Sequence, residues 1–200
     1  MSNKTILNLV HPYTYKQKDR SYIIGPIEEF EARDKKVSEF VNYALNSGVK
    51  VLCHEMFDNL IDQGMREAGM RIDQLFKFLF DERVITFNTT PAGVPIPNER
   101  PEIISSKTWS LLNQIYISER DLKQRVCEAK NLLFIGGMLE CCVSNSMGVF
   151  ADNIATEGQR LFYIPELCVS YDSVHWQTIK PKLDSRGIQS ISSSEAIGLF

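Results

Sequence analysis

A three-layer α/β domain with a mainly parallel central sheet is what the sequence predicts, and three observations point there. Short apolar runs recur along the chain without polar alternation, as strands buried on both faces require. Segments of helical periodicity separate them. The 200 residues carry 44% hydrophobic and 24% charged side chains, close to the balance of an ordinary globular domain, so residues 1–200 read as one domain.

Taken in order, "KTILNLV" (Lys4–Val10) is a buried strand that stops at His11-Pro12. The stretch "HPYTYKQKDRSYIIGP" is a polar loop. From Asp34 the pattern becomes helical, with Val37, Phe40, Val41, Ala44 and Leu45 on one face, Asp34 as N-cap and Gly48 as the stop. "VKVLCHEM" is a second strand. Residues 57–82 read as helical, "RVITFNTT" as a short strand and "PAGVPIPNERP" as a loop. "EIISSK" is a strand ending on Lys107, continued by "TWSLLNQI". "SERDLKQRVCEA" is a helix capped by Ser118. "KNLLFIGG" is a strand, and "CVSNSMGVFADNIATEG" a helix ending on Gly158. "QRLFYIPELCVS" is a strand, "SVHWQTIKPKL" a helix, "IQSI" a last short strand and "SSSEAIGLF" a capped final helix.

The composition also excludes several classes. A net charge of -3 argues against nucleic acid as a partner. No apolar run reaches the roughly 18 residues that a membrane span needs, and the first residues show no secretion signal. The five cysteines are odd in number and lack CxxC spacing, which fits neither a disulfide scaffold nor a zinc ribbon. Reduced thiols in the cytoplasm are the simpler expectation.

In a sheet of this kind ligands bind beyond the carboxyl ends of the strands. His11, Lys107 and the loop from Gly136-Gly137 to Cys142 all fall there. Cys142 stands where "LLFIGG" gives way to a helix. Unpaired N–H groups and the helix dipole at such a start stabilise a thiolate, lowering its pKa from about 8.5. The same N–H groups can hold an oxyanion. Cys53, Cys127 and Cys168 lie within strands or helices and read as packing, as does Cys141 beside the turn.

The stretch "FIGGMLECCVSNSMGVFAD" resembles the hallmark of the isochorismatase-like cysteine hydrolases: apolar strand, Gly-Val-x-Thr-Asp-x-Cys-Val, helix. Gly136 takes the glycine, Glu140 the acidic place, and Cys142-Val143 the nucleophile and its follower. The resemblance extends in order over nearly the whole chain. It implies a Lys-assisted cysteine nucleophile, Cys142 with Lys107, the latter from "SSKTWSLL". It implies a cis peptide between Gly137 and Met138, aiming the Met138 and Cys142 N–H groups into the oxyanion site.

The family aspartate of the first strand aligns with Asn8, and Tyr13 with a phenylalanine. An amide cannot take a proton, so Asn8 can orient Lys107 but cannot act as base. Sliding the register by three residues brings His11 to that place and makes a Cys-His pair. Glu140 is a further candidate base. Loss of hydrolysis, leaving a binding or assembly protein, is the competing outcome.

The resemblance further implies a small substrate with an amide, carbamoyl or enol-ether group. Its pocket would be lined by His11, Gly137, Tyr13 and Trp109, with Tyr15 beside them, and the subunits would form a homo-oligomer. Metal-bearing relatives carry Asp-x-His after the second strand; "VLCHEMFD" offers Cys53, His54 and Asp58 in a different order. Neither metal nor cofactor is therefore expected. On this reading iodoacetamide labels Cys142 ahead of the other four thiols.

Overall fold

The computed structural model of the chain describes residues 5–11, 27–55, 81–89, 119–170 and 173–200. Six strands form one sheet: β1 (Thr5–Val10), β2 (Lys50–Glu55), β3 (Val84–Asn88), β4 (Asn131–Met138), β5 (Arg160–Val169) and β6 (Gln189–Ser190). Their order is β3-β2-β1-β4-β5-β6, and every pair is parallel. β1 is buried along its full length, as its unbroken apolar run requires.

Two cores sandwich the sheet. On one face α1 (Ile27–Asn46) sets Val37, Phe40, Val41, Ala44 and Leu45 against Leu7, Leu9, Leu133 and Ile135. On the other, α2 (Glu119–Val126) contributes Leu122 and Val126. That face also carries α3 (Ser144–Val149), flanked by π-helical turns at Leu139–Val143 and Phe150–Ile154, and α4 (Ser173–Asp184). A short α5 (Ser193–Ile197) closes the described chain with a reciprocal Ser192–Glu195 capping box.

Two elements differ from expectation. Helix α1 starts at Ile27, so Asp34 is no N-cap: it lies inside the helix, fully buried and paired with Arg33. The helix after β4 starts at Leu139 rather than Cys142, because a wider π-turn precedes the α-helix and Met138 offers no side-chain cap that sequence could reveal. In β5, Pro165 has no N–H for the ladder, and there the register slips: Tyr163 pairs with Phe134, but Cys168 with Gly136. Among the described residues no helix is long and apolar enough to cross a membrane. The expected helix over 57–82 lies outside the described residues as far as Phe80, and its last two residues, Asp81 and Glu82, form a bend and turn. The strand over 102–107 lies outside them too, as do Ser118, Lys107, Tyr13, Tyr15 and Trp109.

Candidate active site

The chain runs from β1 outward through β2 to β3, then returns to the far side of β1 with β4. The gap between the carboxyl ends of β1 and β4 is therefore the topological switch point, where ligands of such sheets bind. Val10 pairs with Gly136 across it. Gly136 adopts φ 117°, and a Cβ there would collide with the Val10 carbonyl. Only glycine lets β4 turn so close to β1.

Cys142 and His11 meet at the next residue. A Cβ placed on Gly137 would stand 2.6 Å from Cys142 Sγ, 3.3 Å from Val10 O and 3.4 Å from His11 Cβ. The thiol, the Gly-Gly pair near the end of β4 and the backbone end of His11 thus share one point. His11 sits at φ 43°, in the left-handed region. A non-glycine residue there carries strain of order 1–3 kcal/mol, and such strain gathers at functional sites. Its N–H donates to His54 O at 3.0 Å, and its Nε2 pairs with Thr89 Oγ1 at 2.9 Å.

The charge state of the pair is opposite to the sequence expectation. Cys142 is buried, and burial pushes its thiol up to about 12; the neighbouring Cys141 adds to this, while backbone hydrogen bonds at Met138, Val143 and Cys142 oppose it. The thiol donates to Met138 O at 3.5 Å. Burial likewise lowers His11 to about 4. At neutral pH both groups are uncharged. Cys142 is the fourth residue of the helical segment and not its first, and desolvation of this residue, 3% exposed, outweighs the backbone hydrogen bonds at its sulfur. The Gly137–Met138 bond is trans, as are all peptide bonds among the described residues, in place of the cis bond the resemblance implied.

Asn8 has a different setting. It lies two residues short of the strand end, fully buried, with Nδ2 donating to Leu133 O at 3.3 Å and Oδ1 facing His54 Nε2 at 3.1 Å. Glu140 is buried with one oxygen accepting from Ser170 Oγ and the other without a hydrogen-bond partner. No three His, Cys, Asp or Glu side chains converge as a metal site among the described residues.

Two groups escaped the sequence reading. Arg33, 5% exposed, bonds Asp34 Oδ1 at 2.8 Å and donates from Nη1 to Gly136 O at 2.5 Å, tying α1 to the turn beneath Cys142. His54 bridges Asn8 to Ser146, whose Oγ lies 3.0 Å from Nδ1. One signal for the latter was present: Asn8 and His54 each interrupt an otherwise apolar strand, and buried polar groups must find partners.

At the level of sequence no protein-family model and no curated protein matches the chain. Its structure has relatives. A nicotinamidase from Staphylococcus aureus superposes with a TM-score of 0.57 at 11% identity, over 94% of this chain and 98% of that one. A ribonuclease from Caenorhabditis elegans gives 0.57 at 12%, over 98% and 80%. An isochorismatase family protein from Desulfovibrio vulgaris gives 0.53 at 12%, over 96% and 95%. At such identities the likeness is one of fold.

Proposed function

We propose that this chain, which has the isochorismatase-like α/β fold, is a cysteine hydrolase that cleaves a C–N bond in a small amide or carbamoyl compound. The observation that carries the reading is the meeting of Cys142 Sγ, Gly137 and His11 at the switch point of the sheet. In the proposed step sulfur bonds to the substrate carbonyl carbon while His11 takes the thiol proton. In this reading His11 takes the part that the family resemblance gives to an aspartate, since Asn8 is fully buried inside β1, two residues short of its end. Backbone N–H groups near the start of the Cys142-bearing segment are proposed to hold the oxyanion; the cis bond by which the resemblance would aim those of Met138 and Cys142 is absent here. The amine leaves with that proton, and water then hydrolyses the thioester. Lys107 is proposed to supply positive charge to the reaction, and Tyr13 and Trp109 to recognise the substrate. The chain is further proposed to act in the cytoplasm as a homo-oligomer; light scattering that returned only the 22.9 kDa monomer mass would refute the latter.

Ammonia or amine release from a panel of small amides and carbamoyl compounds is the test, with wild type beside Cys142→Ala. Release by wild type well above that of the variant is expected; equal rates sink the reading. One observation favours a second reading, a catalytically silent binding or assembly protein: burial holds the Cys142 thiol at about 12. Hydrolysis that appears only in His11→Asp supports that reading, and hydrolysis by wild type excludes it.

A further inference from the structure

Beneath the switch point runs a second line of polar groups with no part in the proposed chemistry. Ser146 Oγ, His54 Nδ1, His54 Nε2, Asn8 Oδ1 and, through Asn8 Nδ2, Leu133 O follow one another at 3.0, 3.1 and 3.3 Å. All three side chains have no exposed surface. The imidazole is enclosed by rings, with centroids of Phe87 at 4.4 Å, Phe150 at 5.5 Å and Phe134 at 6.4 Å. No substrate reaches it.

The hydrogens along this line are determined by its far end. Leu133 O can only accept, so the Asn8 group facing it is the NH₂, and the oxygen faces His54. That oxygen can only accept, so His54 Nε2 carries the ring hydrogen and Nδ1 is bare. Ser146 Oγ–H then donates to Nδ1. Every donor and acceptor of the imidazole is used, without a net charge.

The line also fixes the site geometrically. Ser146 lies four residues beyond Cys142, on the same face of the helical segment. Cys142 Sγ fills the space that a Cβ on Gly137 would need, while Ser146 Oγ is tied to β2 through His54. Rotation of the segment about its axis would carry both side chains with it and break that tie. His54 also holds His11 directly, through its carbonyl at 3.0 Å.

We propose that Ser146, His54 and Asn8 form an uncharged positioning chain that locks the rotation of the Cys142-bearing helix on the sheet, with Asn8 dictating the tautomer of His54. The inference rests on the Cys142–His11 reading for its purpose, but not for its hydrogen-bond pattern. Burial disfavours a charged His54, and among the described residues His11 is the titratable group that acts on it; the chain keeps a charge from arising there.

Long-range ¹⁵N–¹H spectra of the full chain test the pattern. The expected His54 signature at pH 7 is a protonated Nε2 and a bare Nδ1, unchanged down to pH 5. In Asn8→Asp the ring is expected to hold both hydrogens. A bare Nε2 in wild type, or a ring still singly protonated in Asn8→Asp, overturns the tautomer claim. Iodoacetamide labelling of Cys142 at pH 9 tests the lock. His54→Gln, which can donate to Asn8 and accept from Ser146, is expected within threefold of wild type, and His54→Leu at least tenfold away. Equal rates in all three overturn the lock. Should His54→Leu fail to fold, Ser146→Ala replaces it, and a wild-type rate there overturns the lock equally. A protein that hydrolyses no amide yet keeps both signatures refutes the function and leaves this chain standing.

Discussion

Burial acts on Cys142 and His11 in opposite senses: it withholds the proton of one from solution and keeps the other from gaining one. With the thiol held at about 12, the thiolate fraction grows tenfold for each pH unit across the neutral range. Alkylation of Cys142 should therefore climb tenfold per unit from pH 7 to 10 without levelling, and exposed Cys127 should be modified first at pH 7. A plateau near pH 8, followed by mass spectrometry of the labelled peptide, would contradict this. His11 carries a stability consequence. The unfolded chain binds a proton near pH 6.5, the folded one only near 4. Between those values the unfolded state holds more protons, so stability falls as pH drops through that window and levels below it. The loss is up to about 3 kcal/mol, and His54 acts in the same direction. His11→Asn, which tolerates the left-handed backbone, should lose less on acidification. Urea titrations at pH 7 and 4.5 measure it; an equal loss in both proteins would count against the assignment. Histidine at the strand end is visible in the sequence. Its place opposite Cys142, and not that of Asn8, depends on Val10 pairing with Gly136, a long-range register that no local pattern carries.

Among the elements, α1 does more than cover a face of the sheet. Its Arg33 reaches the Gly136 carbonyl, and its Asp34 is buried against the guanidinium. Breaking a buried ion pair from one side typically costs about 3–5 kcal/mol, since the remaining charge keeps its desolvation penalty. Arg33→Met should lose stability on that scale in equilibrium urea unfolding; a loss under about 1 kcal/mol would mean the pair behaves as a surface one. Sequence reading placed the start of this helix seven residues late. Its apolar stripe begins only at Val37, and an aspartate ahead of a stripe looks like a cap. Asp34 faces inward with Arg33, which reaches the carboxyl end of β4; the cause is tertiary. The π-turn that carries Cys142 was equally hidden, because it begins without a capping side chain.

For the whole molecule the parallel α/β plan was the most legible property. Uniformly apolar strands between amphipathic segments have few other ways to be buried, and the all-parallel order agrees with that expectation. β1, the first of the described strands, is also a central one. β1 lies between β2 and β4, and its Thr5 meets Asn131, 126 residues further along the chain. A nascent polypeptide must therefore carry β1 without its β4 partner until residues 131–138 have left the ribosome. Non-local pairing of this sort slows folding and leaves edges free to aggregate. A chain cut after residue 128 should be recovered mainly in the insoluble fraction on expression, whereas one extended through Val169 should be recovered chiefly in the supernatant. Synthesis rate and chaperone occupancy over that interval, more than final stability, would then set the yield of native protein.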